Sequence, residues 1–259
     1  MGQVSSVAVI ADVHGVLPAL QAVLASERVR AADVLVVCGD VCAGPQPVAV
    51  LDLLSGRDDV VLVRGNADRE LAAIARGDDD TIRDALPVDL WAARQLDEHH
   101  VALLESLPHP TTLDVAGFGP VLFCHGTPRD DEEVVLVDTL PSRWREAFAG
   151  LAPEVRTVVC GHTHMPFVRL VDGVTVVNPG SVGMPYGRPG AHWALLDRGG
   201  VSLHREDFDL DAAVDAVARD SSFDGARAWA EEYVLARNTD TDAMTAFGPR
   251  DGRADRSGQ

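Results

Sequence analysis

Five short segments of the chain carry aspartate, asparagine and histidine side chains of the kind that bind metal ions. They are Asp12-Val13-His14, Gly39-Asp40, Gly65-Asn66, His125-Gly126 and Gly161-His162-Thr163-His164. Each of the first four directly follows an aliphatic run that is typical of a buried strand. The side chains are therefore predicted to lie where strands end, and together they offer ligands for two adjacent metal ions. Their oxygen and imidazole donors suit Mn, Fe, Zn or Ni better than a cysteine-rich structural zinc site does.

The spacing within two of these segments adds a constraint. In extended backbone, residues i and i+2 point to the same side, so Asp12 and His14 can close on one site. His162 and His164 form a second such pair. Each segment alone also has an ordinary interpretation, as turn chemistry for Gly-Asp and Gly-Asn or as hydrogen-bonded histidine. Their joint occurrence in this order favours the metal site.

At these residues the chain resembles the calcineurin-like metallophosphoesterases, whose pattern is D-x-H, G-D, G-N-H-[ED], H and G-H-x-H. The resemblance runs from about Val7 to Leu196. The segment Asn178-Pro179-Gly180-Ser181 and the short chain without a separate substrate domain are similar to the small bacterial phosphodiesterase branch. One position departs, because Ala67 stands where the family has a histidine near the leaving-group oxygen.

The resemblance implies a role for each matching residue. Asp12, His14 and His164 would hold a first metal, and Asn66, His125 and His162 a second. Asp40 would bridge the two. The implied cofactor is a pair of divalent or mixed-valence transition metal ions, with Mn favoured. The implied catalytic residues are Asp40, Asn66, Asp68 and His125, where Asp68 either replaces the missing proton donor or serves as a helix cap.

Four further residues are candidate substrate contacts. They are Arg64, Arg129, Asn178 and Ser181. Arg64 precedes the Gly-Asn loop, so it is expected either to reach phosphate or to pair at the surface.

Composition limits the class of partner. The chain has 259 residues, with 40 acidic against 22 basic residues and a formal net charge of −18. This balance argues against a nucleic-acid polymer, whose binding requires a basic stripe. No stretch approaches the ~20 apolar residues of a membrane span, and the first residues lack a secretion signal. We therefore expect a cytoplasmic protein that binds a small-molecule phosphate ester and no membrane, with a homo-oligomer left open.

The order of predicted elements indicates an α/β fold. The first half alternates strands and helices as βαβαβ, and later strand runs are joined by hairpin turns such as Asp172-Gly173. With the family resemblance, this predicts an α/β/β/α sandwich of two mixed sheets flanked by helices. One domain is expected over 1–237, with a helical cap insertion at about 67–110 and a disordered polar tail over 238–259. The four cysteines, which lie beside the motifs, are interpreted as buried packing residues.

These inferences predict a dinuclear-metal-dependent phosphoesterase, most simply a phosphodiesterase of small organic esters or nucleotides in which a metal-bridging hydroxide attacks phosphorus. One alternative is a phosphomonoesterase or protein phosphatase. The protein phosphatases differ after Gly39-Asp40, where they continue G-D-x-V-D-R-G. The other alternative is a non-catalytic binding scaffold on the same fold, which is disfavoured because all seven ligand positions are filled.

Overall fold

The structure, a computed structural model, describes residues 2–252 and contains two five-stranded sheets. The first sheet has the order β10-β9-β1-β2-β3. Its strands are β1 (Ser6–Ile10), β2 (Val34–Cys38), β3 (Val60–Val63), β9 (Ala191–Asp197) and β10 (Gly200–Glu206). β1, β2 and β3 are parallel, whereas β9 is antiparallel to both β1 and β10. The parallel strands therefore all end at one edge of the sheet.

The second sheet has the same mixed character. Its order is β4-β5-β6-β8-β7, with β4 (Thr111–Val115), β5 (Gly119–Phe123), β6 (Thr157–Val159), β7 (Phe167–Val171) and β8 (Val174–Asn178). The central strands β5, β6 and β8 are parallel, and antiparallel strands β4 and β7 form the two edges.

The two sheets pack face to face through one apolar cluster. Val9 and Val36 of the first sheet join Phe123, Val159 and Val177 of the second in this cluster. Since side chains alternate along a strand, the neighbouring residues point to the outer faces. Those outer faces are covered by helices on the first sheet and by α8 (Pro141–Ala147), through Trp144, on the second. The predicted α/β/β/α sandwich of two mixed sheets is confirmed.

Helices connect the strands and cover the first sheet. They are α1 (Leu17–Ala25), α2 (Glu27–Ala31), α3 (Pro47–Ser55), α9 (Leu210–Asp220) and α10 (Ala226–Tyr233). Between β3 and β4, where a helical insertion was expected, lie α4 (Asn66–Arg76), α5 (Asp79–Asp84), α6 (Pro87–Ala93) and α7 (Glu98–Ser106). Among the helices of residues 2–252, none is long and apolar enough to cross a bilayer.

The expectation of a disordered tail from residue 238 is wrong for most of that segment. The chain forms α11 (Asp240–Phe247) and a 3₁₀ helix (Gly248–Asp251), and the remaining residues 253–259 lie outside the described part. Thr239 and Asp242 cap the start of α11 reciprocally. α11 buries little more than Ala243, which explains why its sequence shows almost no hydrophobic periodicity.

The four cysteines Cys38, Cys42, Cys124 and Cys160 are buried free thiols. Burial raises the pKa of each of them. Their interpretation as packing residues agrees with this placement.

Candidate metal centre

The seven predicted ligands gather where the parallel strands of the two sheets end. Asp12 and His14 follow β1, Asp40 follows β2, and Asn66 begins α4 just after β3. From the second sheet, His125 follows β5, and the loop after β6 carries His162 and His164. Because parallel strands end at the same edge, five segments that are distant in sequence meet in one place.

The backbone at five of these residues lies in the left-handed region. The φ angles are 55° at Asp12, 46° at His14, 53° at Asp40, 67° at His162 and 59° at His164. Non-glycine residues adopt this region at a cost of roughly 1 kcal/mol or more, and such residues concentrate at functional sites. The loops therefore hold these side chains in a geometry that an unconstrained chain would avoid.

Two glycines permit the close approach of the loops. A Cβ atom at Gly39, where φ is +82°, would collide with the imidazole of His125. A Cβ atom at Gly65 would collide with the carboxylate of Asp40. The Gly-Asp and Gly-Asn motifs thus require glycine on steric grounds.

The ligand atoms form two adjoining groups. Asp12, His14 and His164 can place one ligand atom each within 4.8 Å of one another, and so can Asp40, His125 and His162. Asp40 lies between them, since its Oδ2 is 3.6 Å from His14 Nε2 and 3.2 Å from His125 Nε2. This placement is the one that a bridging carboxylate needs.

The protein orients three of the imidazoles through their Nδ1 atoms. The Nδ1 of His14 lies 3.1 Å from the carbonyl of Ala43, and that of His125 lies 2.7 Å from the carbonyl of Cys38. The Nδ1 of His164 lies 2.9 Å from the carbonyl of Met184. A carbonyl can only accept, so each Nδ1 donates a hydrogen and each Nε2 is the ring nitrogen that faces the centre. Metal-binding histidines are oriented in this way.

The inward-facing atoms fit a cation better than they fit one another. The Nε2 atoms of His14 and His164 lie only 3.2 Å apart. Within residues 2–252, three buried atoms of the site also have no hydrogen-bond partner, namely Asp12 Oδ2, Asn66 Oδ1 and His162 Nε2. Each such atom costs about 1–3 kcal/mol when it is left unsatisfied. Metal ions would satisfy all of them, so the donor set fits the predicted pair of ions.

Electrostatics in the centre keep the carboxylates ionised. Burial alone would raise the pKa of Asp40, but the neighbouring histidines, His125 first, hold it well below its ordinary value. Burial would lower the pKa of His125, but the charge of Asp40 raises it above the ordinary value. For His162, burial dominates and lowers the pKa to about 3. Since a metal ion requires neutral imidazole, binding at His125 is expected to release a proton.

Asp68 takes the helix-cap position at the start of α4, which was one of our two expectations. Its side chain is fully buried. It accepts three backbone hydrogens, from Asp40 at 2.9 Å, Val41 at 2.8 Å and Gly65 at 2.9 Å. Burial raises its pKa to about 7, against these hydrogen bonds. Asp68 is therefore a positioning residue that ties the Gly-Asp loop to the start of α4.

Asn178 and Ser181 are also positioning residues, so the expectation that they contact substrate is wrong. Both are fully buried. The Asn178 side chain donates to the carbonyl of Gly161 at 2.8 Å and holds the loop of His162 and His164. The Ser181 hydroxyl donates to the carbonyl of Asp12 at 2.7 Å.

The two arginine candidates are held by carboxylates. Arg64 donates to Asp131 at 3.0 Å, and Arg129 donates to Glu133 through its Nε at 2.9 Å. Neither lines the cavity that opens from the centre. Of the two expectations for Arg64, contact with phosphate or pairing at the surface, the structure shows the pairing, with Asp131 as the partner.

The sequence comparison with protein families identifies the chain. The model of the calcineurin-like phosphoesterase superfamily domain matches residues 6–199. This stretch includes all five ligand segments and every strand of both sheets up to the end of β9. The chain belongs to the calcineurin-like phosphoesterase superfamily.

Relatives of this phosphoesterase cover most of its length. An uncharacterised protein of Methanocaldococcus jannaschii is 25% identical over 238 residues, which span 83% of this chain and 93% of that protein. A metallophosphoesterase structure from Sphaerobacter thermophilus is 26% identical, with a TM-score of 0.65, and the match covers 83% of this chain and 93% of the other. A hypothetical protein of Pyrococcus horikoshii shares the fold at 20% identity, with a TM-score of 0.72 and coverage of 90% and 99%.

A cavity of about 630 Å³ opens from the phosphoesterase centre. His14, Asp40 and Asn66 form its inner end, and Ala67 lies beside them. Its outer walls come from residues that sequence reasoning missed, among them Arg69, Glu70, Asp89, Trp229 and Tyr233. Arg69 and Glu70 lie three and four residues after Asn66, so helical spacing could have placed them on the same face. No local pattern points to the residues of α10.

Proposed function

We propose that this phosphoesterase is a dinuclear-metal-dependent phosphodiesterase that hydrolyses small organic phosphate esters. The observation that carries the proposal is the position of Asp40 between two groups of inward-facing donors. The unsatisfied buried atoms around it support a pair of cations in preference to a hydrogen-bonded network.

Each of the seven residues has a place in this proposal. Asp12, His14 and His164 would hold one ion, Asn66, His125 and His162 the other, and Asp40 would contact both. When bound, two such ions activate a water molecule and neutralise charge on the phosphate. We favour manganese, since oxygen and imidazole donors suit it.

The charges of the ligands suit an anionic ester. Two divalent ions carry a formal +4, and the two carboxylates Asp12 and Asp40 leave about +2 by this counting. The third oxygen donor, Asn66, is an amide and removes no charge. The residues thus favour a phosphate anion over a neutral ester.

The preference for a diester rests on the space around the centre. A monoester needs room for one organic group, whereas the cavity of about 630 Å³ has room for a second group beside the phosphate. Ala67 supplies no proton to a departing alkoxide, and both oxygens of Asp68 are occupied. We therefore expect esters with good leaving groups to be cleaved best.

The test compares bis(4-nitrophenyl) phosphate with 4-nitrophenyl phosphate on manganese-loaded protein. We expect a higher kcat/KM on the diester, and a loss of at least about a hundredfold in Asp40→Asn, because a shared ligand is removed. Asp211→Asn, an exposed position on α9, is the matched control and should leave the rate unchanged. Faster monoester cleavage would favour the phosphomonoesterase, and metal binding without any hydrolysis would favour the scaffold.

A further inference from the structure

The outer part of the cavity is strongly acidic, unlike the centre to which it leads. Five carboxylates that are not predicted ligands line it: Glu70, Asp80, Asp84, Asp89 and Glu132. Within residues 2–252, Arg69 is the one arginine among its lining residues. Arg83 pairs with Asp80 at 2.5 Å and Arg250 lies 3.4 Å from Glu132, whereas within residues 2–252 neither Asp84 nor Asp89 has an arginine partner. A group that extends from a phosphate at the centre towards Asp84 and Asp89 therefore meets a negative potential.

The charge of Arg69 is already compensated. Its guanidinium donates to both oxygens of Asp131, at 3.0 and 3.2 Å. It also lies 3.8 Å from Glu70 and 3.5 Å from Glu132. A second phosphate of a substrate would thus find no uncommitted arginine on this wall.

Two aromatic rings form another part of the wall. Trp229 and Tyr233 lie one turn apart on α10, with ring centroids 4.9 Å apart and planes tilted by 51°. Both are half-buried and line the cavity. Aromatic faces next to carboxylates attract organic cations, and quaternary ammonium groups in particular.

Asp89 lines the same cavity as these rings and as His14 and Asp40 of the centre. Burial raises its pKa to about 6, while a backbone hydrogen bond from Leu86 opposes the shift and the charge of Asp40 adds to it. The carboxylate is therefore mostly ionised at neutral pH, although it is poorly solvated. Asp89, Trp229 and Tyr233 thus form parts of the wall of one cavity.

We propose that the organic group of the substrate that occupies this cavity carries a positive charge, as an alkylammonium joined through a short chain to the phosphate. This inference rests on the proposed phosphodiesterase function and names its substrate class. The anionic phosphate would lie at the centre, and the ammonium group would lie between Asp89 and the rings of Trp229 and Tyr233. Polyphosphate esters would be excluded by the carboxylates.

The first experiment uses three diesters that share one leaving group. They are the 4-nitrophenyl phosphodiesters of choline, of its uncharged carbon isostere 3,3-dimethylbutanol, and of 4-hydroxybutyrate. Because the leaving group is constant, differences in kcat/KM report on recognition of the other group. We expect kcat/KM to be highest for the choline ester, lower for the uncharged isostere and lowest for the anionic ester, with a difference of about tenfold at each step.

The second experiment assigns this preference to the cavity. Asp89→Asn and Trp229→Leu should each reduce the ratio of choline ester to isostere by at least about fivefold. Asp79→Asn removes the same charge from an exposed position next to Asp80 that does not line the cavity, and it should keep the wild-type ratio.

A binding measurement separates this inference from the proposed function. Choline is titrated into metal-loaded wild type and Asp89→Asn by calorimetry, without any hydrolysis. If choline binds to the wild type and binds more weakly to Asp89→Asn, the inference is supported, whether or not any ester is cleaved. If no ester is cleaved, the phosphodiesterase proposal is overturned. Equal cleavage of all three esters, or absence of choline binding, overturns the inference and leaves the proposed function intact.

Discussion

The carboxylate of Asp68 accepts the backbone hydrogen of Asp40 at 2.9 Å. It binds the N–H groups of Val41 and Gly65 as well, and so fixes two ligand loops together. We predict that Asp68→Asn destabilises the protein by about 1–3 kcal/mol, because an amide places N–H groups against backbone donors. Metal affinity should fall by roughly tenfold or more, as for other supporting residues.

Chemical denaturation and metal titration check this prediction. Asp224→Asn, at an exposed position, is the control and should change neither quantity. If Asp68→Asn kept full stability but lost turnover of poor leaving groups, Asp68 would be a proton donor after all.

Removal of metal should destabilise the fold. The Nε2 atoms of His14 and His164 lie 3.2 Å apart, and a cation bound by both would stabilise the folded protein. A ligand present at a hundred times its Kd contributes about 2.7 kcal/mol to folding stability. We expect chelation to lower the Tm and manganese to restore it, with a proton released on rebinding at His125. A Tm that is the same with and without metal would argue against the metal centre.

Truncation of Phe247 should weaken metal binding at the centre. The Phe247 ring lies 5.8 Å from the ring of His162 at an interplanar angle of 62°. Phe247→Ala is expected to weaken metal binding by about tenfold, through lost packing that orients this imidazole. Thr245→Ala, an exposed change on the same helix, is the control for helix stability. Equal metal affinities in both variants would show that α11 does not support the centre.

Ala67→His should restore a proton donor beside the leaving group. Ala67 lines the cavity next to Asn66, and general acid catalysis typically contributes about 10²–10⁴-fold. We expect at least a tenfold gain in kcat on alkyl phosphodiesters and little change on bis(4-nitrophenyl) phosphate. An equal effect on both substrates would indicate altered binding in place of proton transfer.

Acid should destabilise the protein in part through His109. Burial lowers its pKa from 6.5 to about 4. The unfolded chain therefore binds the proton more tightly, and this stabilisation is present above pH 6.5 and is lost as the pH falls towards 4. Because the ring is partly exposed, we expect only about 1 kcal/mol.

Denaturation of His109→Gln at pH 5 and pH 8 measures this effect. The variant should lose less stability between these two values than the wild type does. His99→Gln, at an exposed position, should behave as the wild type. A steeper pH dependence in His109→Gln would contradict the assignment.

The strands of the first sheet could be predicted because their signals are local, whereas the two-sheet sandwich followed from the family resemblance. The apolar runs of β1, β2 and β3 and the polar residues that follow them appear in continuous sequence. Substrate contacts could not be predicted in the same way. Asn178 and Ser181 lie beside the ligand loops, but their partners are backbone groups of distant residues, which sequence does not display.

The place of the C-terminal helices beside the centre could not be predicted from the sequence either. Trp229 and Tyr233 line the same cavity as His14 and Asp40, and the ring of Phe247 packs against that of His162. Short polar helices such as α11 carry little periodicity, and what stabilises them is tertiary packing. Their relation to the centre exists only in the folded molecule.

The left-handed backbone at five of the ligand positions restricts which side chains these loops accept. A β-branched residue at Asp12, His14, Asp40, His162 or His164 would strain the backbone as well as remove a ligand. Asparagine adopts this region several-fold more often than most other residues do. Asparagine is therefore the substitution that best separates the loss of a ligand from damage to the loop that carries it.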